Sequence, residues 1–389
     1  MAFNLINEQL SSRREQGLYR SLTSISGHQG RLLTVADKSY LNFSSNDYLG
    51  LAADPQLIQA WQKGASLYGV GSGGSYLVSG FNQAHDDLCE QLKSWLGVEA
   101  VALFSSGYSA NQAIIKLLLK KNDLLLQDKL NHASLMEAGL LSESKMQRFK
   151  HNDMLHLASL LAKPATQQAD KLIISEGVFS MDGDCAPLPG LYELAKKHDA
   201  WLMIDDAHGL GVLGNNGKGS VAASGLENNN LQIYMATFGK ALGVGGAFVA
   251  GKQTLIDYLT NFSKPYIYTT GLPPAMVYTI AEAARMAETE DWRRDKLQVL
   301  IATFRETATG LGIRLGDSNT AIQPVIIGDS LKALEVAEKL KKLGFWTTAI
   351  RPPTVPVATA RLRITLTANH EELDVVNLSK AIYRVLNDK

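Results

Sequence analysis

The sequence predicts an α/β protein with a mostly parallel central sheet, helices on both faces of that sheet, and a smaller C-terminal α/β domain. From about residue 100 to 250, short apolar runs alternate with segments of helical periodicity, which is typical of parallel strands joined by crossover helices. A second set of strands and helices follows the Pro273-Pro274 break. We therefore expect an N-terminal helix and arm in residues 1–50, a large domain in 51–274 and a small domain in 275–389.

The composition argues against several functional classes. The 389 residues include 38 basic and 38 acidic side chains, so no net field attracts nucleic acid or an anionic membrane. No apolar run approaches the ~20 residues of a membrane span, and the amino terminus lacks the basic start and apolar core of a signal peptide. Two cysteines, Cys89 and Cys185, form no disulfide framework and fit a reducing compartment. We expect a cytoplasmic protein.

The N-terminal part predicts two helices around a short strand. Apolar residues recur at helical spacing over Leu5–Leu22, and Arg20 in this helix is either an anion contact or a solvated side chain. A short strand in residues 40–50 enters a polar turn, and a second helix is predicted over Pro55–Tyr68. The glycine-rich residues 69–75 follow a helix and not a strand, so we interpret them as a loop lining a site and not as a dinucleotide motif.

Chemically useful residues follow the predicted strands of the large domain. The strands are expected at Val101–Phe104, Leu124–Leu126, Lys171–Glu176, Trp201–Asp205 and Ile233–Thr237. Because parallel strands end at one edge of a sheet, the residues at or after their ends should share a crevice. Those residues are Gly107, His132, Ser180, Asp205, His208 and Lys240.

Two of these corners allow more than one interpretation. Ser105, Ser106, Gly107 and Tyr108 begin a predicted helix that continues to Leu119. Free N–H groups at such a helix start suit a phosphate, although plain N-capping by a serine explains the same residues. At the next corner, the imidazole of His132 could stack on a flat ring or only cap a helix.

The stretch from Asp205 to Lys240 carries the most specific chemistry. Asp205, Asp206 and His208 stand at a strand end, and Lys240 lies in a glycine-rich turn. A lysine can hold an aldehyde as a Schiff base, and a carboxylate facing a pyridine nitrogen keeps that nitrogen protonated, which together describe pyridoxal phosphate. The same residues could form a metal site or a salt-bridged corner. The other strand-end residues expected in this crevice favour the cofactor.

The predicted small domain begins with a long helix and presents one arginine on a rigid turn. The expected elements are a helix over Ala275–Gly310, strands over Ala321–Ile327 and Arg361–Leu366, and helices over Leu331–Leu343 and Glu371–Asn387. Residues 350–356 form a proline-fixed turn with Arg351, whose planar guanidinium suits a carboxylate. Arg361 and Arg363 alternate along a strand, which favours a solvated face.

Seven stretches resemble the α-oxoamine synthases, a family of fold-type I pyridoxal-phosphate enzymes. They are residues 42–50, 71–75, 132–135, 176–183, 205–209, 237–240 and 351–356. The glycine loop and the Arg351 turn are similar to the branch of the family that serves biotin biosynthesis. The resemblance implies an aspartate aminotransferase-like fold and a condensation of L-alanine with a pimeloyl thioester of coenzyme A or acyl carrier protein, with release of CO2 and the thiol carrier.

The resemblance also implies roles for the candidate site residues. Lys240 would hold the cofactor as a Schiff base and remove the α-proton of alanine, and Asp205 would pair with the pyridinium nitrogen. His208 would hydrogen-bond the phenolic oxygen of the cofactor, and His132 would stack on its ring, which completes the implied catalytic set. Further contacts are implied with the cofactor from Gly107, Tyr108, Ser180 and Thr237, and with the substrates from Arg20, Asn46, Ser75, His132, Arg351 and Thr354.

Two of these implied roles concern specificity and assembly. Arg351 would clamp the carboxylate of the amino acid. Members of the family are homodimers with the site at the interface, so Thr269 and Thr270 are expected to reach the cofactor phosphate of the partner subunit. Tyr76 and Leu77 replace the small residue and the histidine of the biotin branch, which leaves the acyl-chain preference open.

Three rival functions stay open on the sequence. A sister enzyme could join glycine or serine to another acyl-CoA with the same chemistry. A non-catalytic pyridoxal-phosphate regulator would need a DNA-binding module, for which the segment before Tyr40 has no room. A zinc enzyme could use Asp205, Asp206 and His208.

Overall fold

The computed structural model describes Phe3 and residues 5–16, 18–163 and 169–388. The first predicted helix, Leu5–Leu22, includes Gly17, which lies outside the described residues. Helix α1 ends at Glu15, so its predicted continuation to Leu22 is wrong. None of its residues is buried. A short helix with no apolar face packed on the protein has little to stabilise a further turn.

The strands form one large sheet and two small ones. Their bounds are β1 Leu32–Val35, β2 Lys38–Asn42, β3 Ala100–Phe104, β4 Leu124–Asp128, β5 Lys145–Phe149, β6 Lys171–Glu176, β7 Trp201–Asp205, β8 Ile233–Thr237, β9 Ala247–Gly251, β10 Ile322–Gly328, β11 Phe345–Trp346, β12 Thr348–Ile350 and β13 Ala360–Thr365.

The helices alternate with the strands through most of the chain. Their bounds are α1 Leu5–Glu15, α2 Pro55–Tyr68, α3 Gln83–Leu96, α4 Gly107–Leu118, α5 Ala133–Leu141, α6 Met154–Leu161, α7 Leu188–Lys197, α8 Ser220–Ala223, α9 Gln253–Phe262, α10 Lys264–Ile267, α11 Pro274–Thr289, α12 Asp291–Gly310, α13 Ser330–Lys342 and α14 Glu372–Asn387.

The large sheet confirms the predicted fold class. Its strand order is β3-β9-β8-β7-β6-β4-β5 in the described part of the chain, and only β9 runs antiparallel to its neighbours. Along β8, Tyr234 and Ala236 belong to one apolar core, and Ile233 and Met235 belong to the core on the opposite face. Because helices cover both faces, the central strand β8 is apolar on both of its faces.

The predicted long helix after residue 274 is two helices. Helices α11 and α12 meet at Glu290, whose backbone (φ −98°, ψ 68°) is not helical. The buried guanidinium of Arg293 fixes this break, since it donates to Glu290 Oε2 at 2.8 Å, Asp54 Oδ2 at 2.7 Å and the Leu49 carbonyl at 3.0 Å. Helix α11 packs against α2 and α3, and α12 packs against α14. The domain boundary at residue 275 stays a prediction.

The small C-terminal sheet has β13 at its centre, between β10 and β12. Both neighbours pair with β13 in antiparallel register. Every residue of β13 is buried, so this strand has no solvated face. None of the helices in the described ranges is long and apolar enough to cross a membrane.

Candidate active site

The carboxyl ends of the parallel strands meet at one edge of the large sheet, where the crevice was expected. Glu176 and Asp205 are the last residues of β6 and β7 and are direct partners in the strand register. Burial lowers the pKa of His132, while the charge of Asp205 acts to raise it and that of Lys240 to lower it, which places the three side chains in one electrostatic environment. The strand-end rule therefore brings together residues that are more than 100 positions apart in the chain.

Lys240 lies at one end of a hydrogen-bonded chain of side chains. Its Nζ is 2.9 Å from His208 Nε2, and His208 Nδ1 is 2.6 Å from the Tyr48 hydroxyl. The Tyr48 hydroxyl is in turn 3.3 Å from Asn46 Oδ1. All of these bonds are satisfied when Lys240 donates to His208, His208 donates to Tyr48 and Tyr48 donates to Asn46. We call these four residues the Lys240 network.

Burial favours the neutral forms of the Lys240 amine and the His208 imidazole. Burial lowers the pKa of Lys240 to about 8, against the charges of Asp205 and Glu176. Burial and the charges of Lys240 and Arg363 hold the pKa of His208 well below its ordinary value. A neutral amine can attack an aldehyde or accept a proton near physiological pH. His208 then acts as a neutral hydrogen-bonding group and not as a cation.

Asp205 is held by an asparagine that the sequence analysis did not single out. Asn111, one turn into α4 from Gly107, donates to Asp205 Oδ2 at 2.9 Å and to Ser134 Oγ at 2.9 Å. The Ser134 hydroxyl lies 2.8 Å from His132 Nδ1. Because the Ser134 amide also donates to Nδ1, this nitrogen is an acceptor and the proton of neutral His132 is on Nε2. His132 is exposed, so a flat ligand could stack on its ring.

Arg361 and Arg363 contradict the predicted solvated face. Arg361 is 5% and Arg363 8% exposed. Arg361 forms an ion pair with Asp182, whereas Arg363 donates from Nε to the Ser180 carbonyl at 2.6 Å and from both terminal nitrogens to Asn46 Oδ1 at 3.2 Å. Alternation placed both arginines on one face of β13, but residues of the large sheet's loops cover that face.

Glu176 supports the loop that carries Ser180. Its Oε2 accepts from the Ser180 amide at 3.2 Å. Burial and the nearby charge of Asp205 raise the pKa of Glu176 well above its ordinary value. Its Oε1 is buried and has no hydrogen-bond partner among the described residues. Glu176 ends a strand just as Asp205 does, so the strand-end rule was the signal that could have identified it.

The start of α4 keeps the features of an anion site. The Ser106 side chain caps the helix by accepting from the Ser109 amide at 3.1 Å. The amides of Gly107 and Tyr108 lie in the first helical turn, where backbone N–H groups have no intrahelical acceptor. A methyl group added at Gly107 would be in ordinary contact with Met235, at 3.7 Å. These features fit a phosphate.

Thr237 fixes the turn between β8 and Lys240. Its hydroxyl donates to the Gly246 carbonyl at 2.7 Å and accepts from the Gly239 amide at 3.2 Å. These two bonds hold the glycine-rich turn that aims Lys240 into the crevice. The predicted contact of Thr237 with a phosphate stays a prediction.

The glycine loop pairs with the segment around Thr270. Ser75 and Thr270 form an isolated antiparallel bridge, and Ser72 Oγ donates to the Gly271 carbonyl at 2.9 Å. The Tyr76 hydroxyl accepts from the Leu272 amide at 3.1 Å. The unexpected Tyr76 therefore anchors this loop to the segment that carries Thr269 and Thr270.

Arg351 and Thr354 lie on the turn after β12, and Arg20 follows α1. Arg20 and Thr354 are exposed, and the Thr354 amide donates to the Arg351 carbonyl at 3.1 Å, which confirms the predicted turn. Arg351 lines a cavity of about 630 Å³ together with Arg13 of α1. The predicted clamp is therefore in a second cationic cavity, and Arg363 is the arginine beside the Lys240 network.

The same residues fit a phosphorylated pyridine aldehyde better than a metal ion. The crevice contains an amine of lowered pKa, a carboxylate fixed by an amide, an open imidazole face and a helix start suited to phosphate. Asp206 is used elsewhere, because its Oδ2 accepts from the Ser220 amide and the Tyr234 hydroxyl, both at 2.8 Å. Within the described ranges no group of three or more His, Cys, Asp or Glu side chains could hold a metal.

Comparisons with known proteins agree with this geometry. The family model for class I and II aminotransferases matches residues 38–382. A relative from Vibrio atlanticus (strain LGP32), an 8-amino-7-oxononanoate synthase, is 50% identical over 381 residues, which are 98% of this chain and 93% of the relative.

Solved structures extend the comparison to the fold. A serine palmitoyltransferase from S. paucimobilis with a bound PLP–myriocin aldimine has a TM-score of 0.92 at 27% identity, covering 98% of this chain and 97% of that one. An 8-amino-7-oxononanoate synthase from Francisella tularensis has a TM-score of 0.78 at 27% identity, covering 89% of this chain and 98% of that one. The likeness thus extends over nearly the whole chain.

Proposed function

Because this chain belongs to the class I and II aminotransferase family and, within it, to the 8-amino-7-oxononanoate synthases, we propose that it condenses L-alanine with a pimeloyl thioester. The cofactor is pyridoxal phosphate, and the reaction releases CO2 and the thiol carrier in biotin biosynthesis. The observation that carries this proposal is the Lys240 amine, which has a lowered pKa and lies beside His208 in the crevice of Asp205.

Each residue of the crevice has a part in this chemistry. Pyridoxal phosphate, when bound, supplies a ring that accepts electrons from a carbanion. Asp205 keeps the ring nitrogen protonated, and Asn111 fixes the carboxylate that does so. Lys240 would hold the aldehyde carbon of the cofactor and would be the base for the α-proton of alanine. His208 would donate from Nε2 to the phenolic oxygen, with Nδ1 then accepting from the Tyr48 hydroxyl, while His132 would cover the ring and Ser180, Thr237 and the α4 start would complete the cofactor contacts.

We assign the carboxylates of the two substrates to two different arginines. Arg363 lies beside Lys240 with a planar fork that suits the carboxylate of alanine. Arg351 and Arg13 line the second cationic cavity, which suits the free carboxylate at the far end of a pimeloyl chain. This assignment differs from the clamp that the resemblance implied for Arg351. Arg20, Thr354, Asn46 and Ser75 retain their predicted roles in positioning the substrates.

We also propose that the protein is a homodimer. Ile58 and Trp61 of α2 are 47% and 46% exposed, and they line an apolar cavity of about 440 Å³ with Val244 and Met276. A second copy covering this surface would lie next to the turn that carries Lys240. Light scattering should give twice the 42.3 kDa chain mass, and Trp61→Glu should reduce it to one chain. A wild-type mass of one chain would contradict the dimer.

A panel of substrate pairs tests the proposed reaction. Thiol release is measured with pimeloyl-, succinyl-, acetyl- and palmitoyl-CoA, each paired with alanine, glycine and serine. We expect release only with pimeloyl-CoA and alanine. Release only with another pair would assign a sister activity. If no CoA thioester releases thiol but pimeloyl acyl carrier protein is turned over, the acyl donor is the carrier protein. A cytoplasmic location is part of the proposal, supported by the free thiols of Cys89 and Cys185.

Capture of the cofactor should accelerate with pH and level off above about pH 8, the lowered pKa of Lys240. Only the neutral amine attacks an aldehyde, so below that pH the rate should rise roughly tenfold per pH unit. Stopped-flow absorbance of pyridoxal phosphate mixed with apo-protein measures this rate. A small amine in place of the protein gives the pH dependence of the aldehyde itself. A rate that continues to rise toward pH 10.5, the ordinary lysine value, would contradict the lowered pKa.

A further inference from the structure

A second cluster of charged side chains lies next to the loops that bear His132 and Ser180. His151 Nδ1 is 3.0 Å from Asp128 Oδ1, and His151 Nε2 is 2.8 Å from Asp184 Oδ2. Asn152 donates from its side chain to Asp184 Oδ2 at 2.9 Å and from its amide to Asp128 Oδ2 at 2.8 Å. We call His151, Asn152, Asp128 and Asp184 the His151 cluster. No step of the proposed reaction uses these residues.

One side of the His151 cluster shapes the turn that leads to His132. Asp128 is the last residue of β4 and is fully buried. Its Oδ1 accepts from the Leu130 amide at 2.8 Å, and its carbonyl accepts from the Asn131 amide at 3.2 Å. The next residue is His132, the N-cap of α5. A displacement of the Asp128 carboxylate would therefore move this corner.

The other side of the cluster holds the loop of Ser180. The Asp184 carbonyl accepts from the Phe179 amide at 2.9 Å, and Asn152 Nδ2 donates to the Cys185 carbonyl at 3.2 Å. The His151 ring meets the buried Phe179 ring edge-on, with 4.4 Å between the ring centroids. Ser180 follows Phe179 directly. The imidazole thus contacts both ends of the loop.

The protonation state of His151 decides whether its ring can donate to Asp128 and Asp184 at the same time. Burial acts to lower the pKa of His151, but the hydrogen bonds and charges of Asp128 and Asp184 outweigh it and raise the pKa to about 9. The charged groups that face the ring are these two carboxylates, and its other neighbours, Phe179 and Asn152, are uncharged. Only the protonated ring can donate from both nitrogens at once. The doubly bonded form is therefore the form at neutral pH.

We propose that His151, bonded to Asp128 and Asp184 at once, is a positioning residue that holds the His132 corner and the Ser180 loop in register for the cofactor. The identity of what is positioned rests on the proposed function. The hydrogen bonds of His151 to Asp128 and Asp184 involve no cofactor, so they can be tested apart from the proposed function.

The first test uses apo-protein and needs no cofactor. A raised histidine pKa stabilises the fold fully below its ordinary value of 6.5, and this contribution disappears as the pH rises through about 9. Amide hydrogen exchange of residues 129–132 and 177–184 should thus lose protection through that pH, after correction for intrinsic exchange. In Asp184→Asn the midpoint should fall, because one carboxylate is gone. A midpoint unchanged by Asp184→Asn, or a His151 side chain that titrates at the ordinary value by NMR, would overturn the proposal.

The second test measures retention of pyridoxal phosphate. At neutral pH, His151→Gln should release the cofactor at least about tenfold faster than the wild type, the effect of losing one charge-assisted hydrogen bond. His151→Arg, which keeps the charge and two donors, should restore much of the retention, and the exposed His28→Gln serves as the control. The difference between His151→Gln and wild type should vanish above about pH 9. Equal release rates at neutral pH would overturn the proposal, whereas wild-type protein that binds no cofactor would contradict the proposed function and leave the exchange test intact.

Discussion

Replacement of Lys240 by alanine is expected to abolish covalent attachment of pyridoxal phosphate and to lower turnover by at least about a thousandfold. Lys240 Nζ lies 2.9 Å from His208 Nε2, and burial lowers its pKa to about 8 against the charges of Asp205 and Glu176. Borohydride reduction followed by peptide mass spectrometry should find the cofactor on the Lys240 peptide of the wild type and on no peptide of the variant. Reduced cofactor still attached to the variant would disprove the assignment.

Two companion variants show what the loss means. Lys240→Arg keeps a positive charge but has no amine, so it should be as inactive as Lys240→Ala. Lys252→Ala removes an exposed lysine before α9 and should behave as wild type. Because its lowered pKa makes charged Lys240 unfavourable in the fold below about pH 8, apo Lys240→Ala should unfold at a higher temperature than apo wild type there. If apo Lys240→Ala unfolds at a lower temperature than apo wild type, misfolding explains its lost activity.

Local signals in the sequence were sufficient for elements whose limits are set by nearby residues. Helix α2 was predicted from Pro55 to Tyr68, and the structure has the same bounds. Its start is fixed by the Asp54 cap and a proline at the first position, and Gly69 ends it at a positive φ of 75°. The break at Glu290 had no such signal, because Arg293 fixes it through contacts with residues about 240 positions away. Periodicity alone therefore predicted one helix.

The candidate site divides in the same way. Asp205, His132, Ser180 and the turn of Lys240 could be predicted because strand ends meet at one edge of a parallel sheet. Arg363 could not, since alternation in a strand shows which residues share a face and not what covers that face. Here the covering groups are the Ser180 carbonyl and Asn46, more than 180 positions away in the chain. Tyr48 and Asn111 were missed because only packing brings them to His208 and Asp205.

The second large effect is expected on the KM values when Arg363 or Arg351 is replaced, because each should bind the carboxylate of a different substrate. Arg363→Lys should raise the KM for alanine at least about a hundredfold, because an ammonium cannot hold the Ser180 carbonyl, Asn46 and a substrate carboxylate together. Arg351→Lys should instead raise the KM for the pimeloyl thioester and change the KM for alanine less than about twofold. Steady-state kinetics with each substrate varied at saturation of the other measures both constants.

Arg361→Lys is the matched control for Arg363, because it lies on the same strand two residues away and is equally buried. Its guanidinium is already paired with Asp182, so its loss should lower stability and leave the KM for alanine near the wild-type value. The reverse pattern, with alanine affinity lost in Arg351→Lys and kept in Arg363→Lys, would return the amino-acid clamp to Arg351. Arg363 would then act on the site through its charge, which adds to burial in lowering the pKa of Lys240 and of His208, and the uncharged replacement Arg363→Met, unlike Arg363→Lys, should shift the pH dependence of cofactor capture upward.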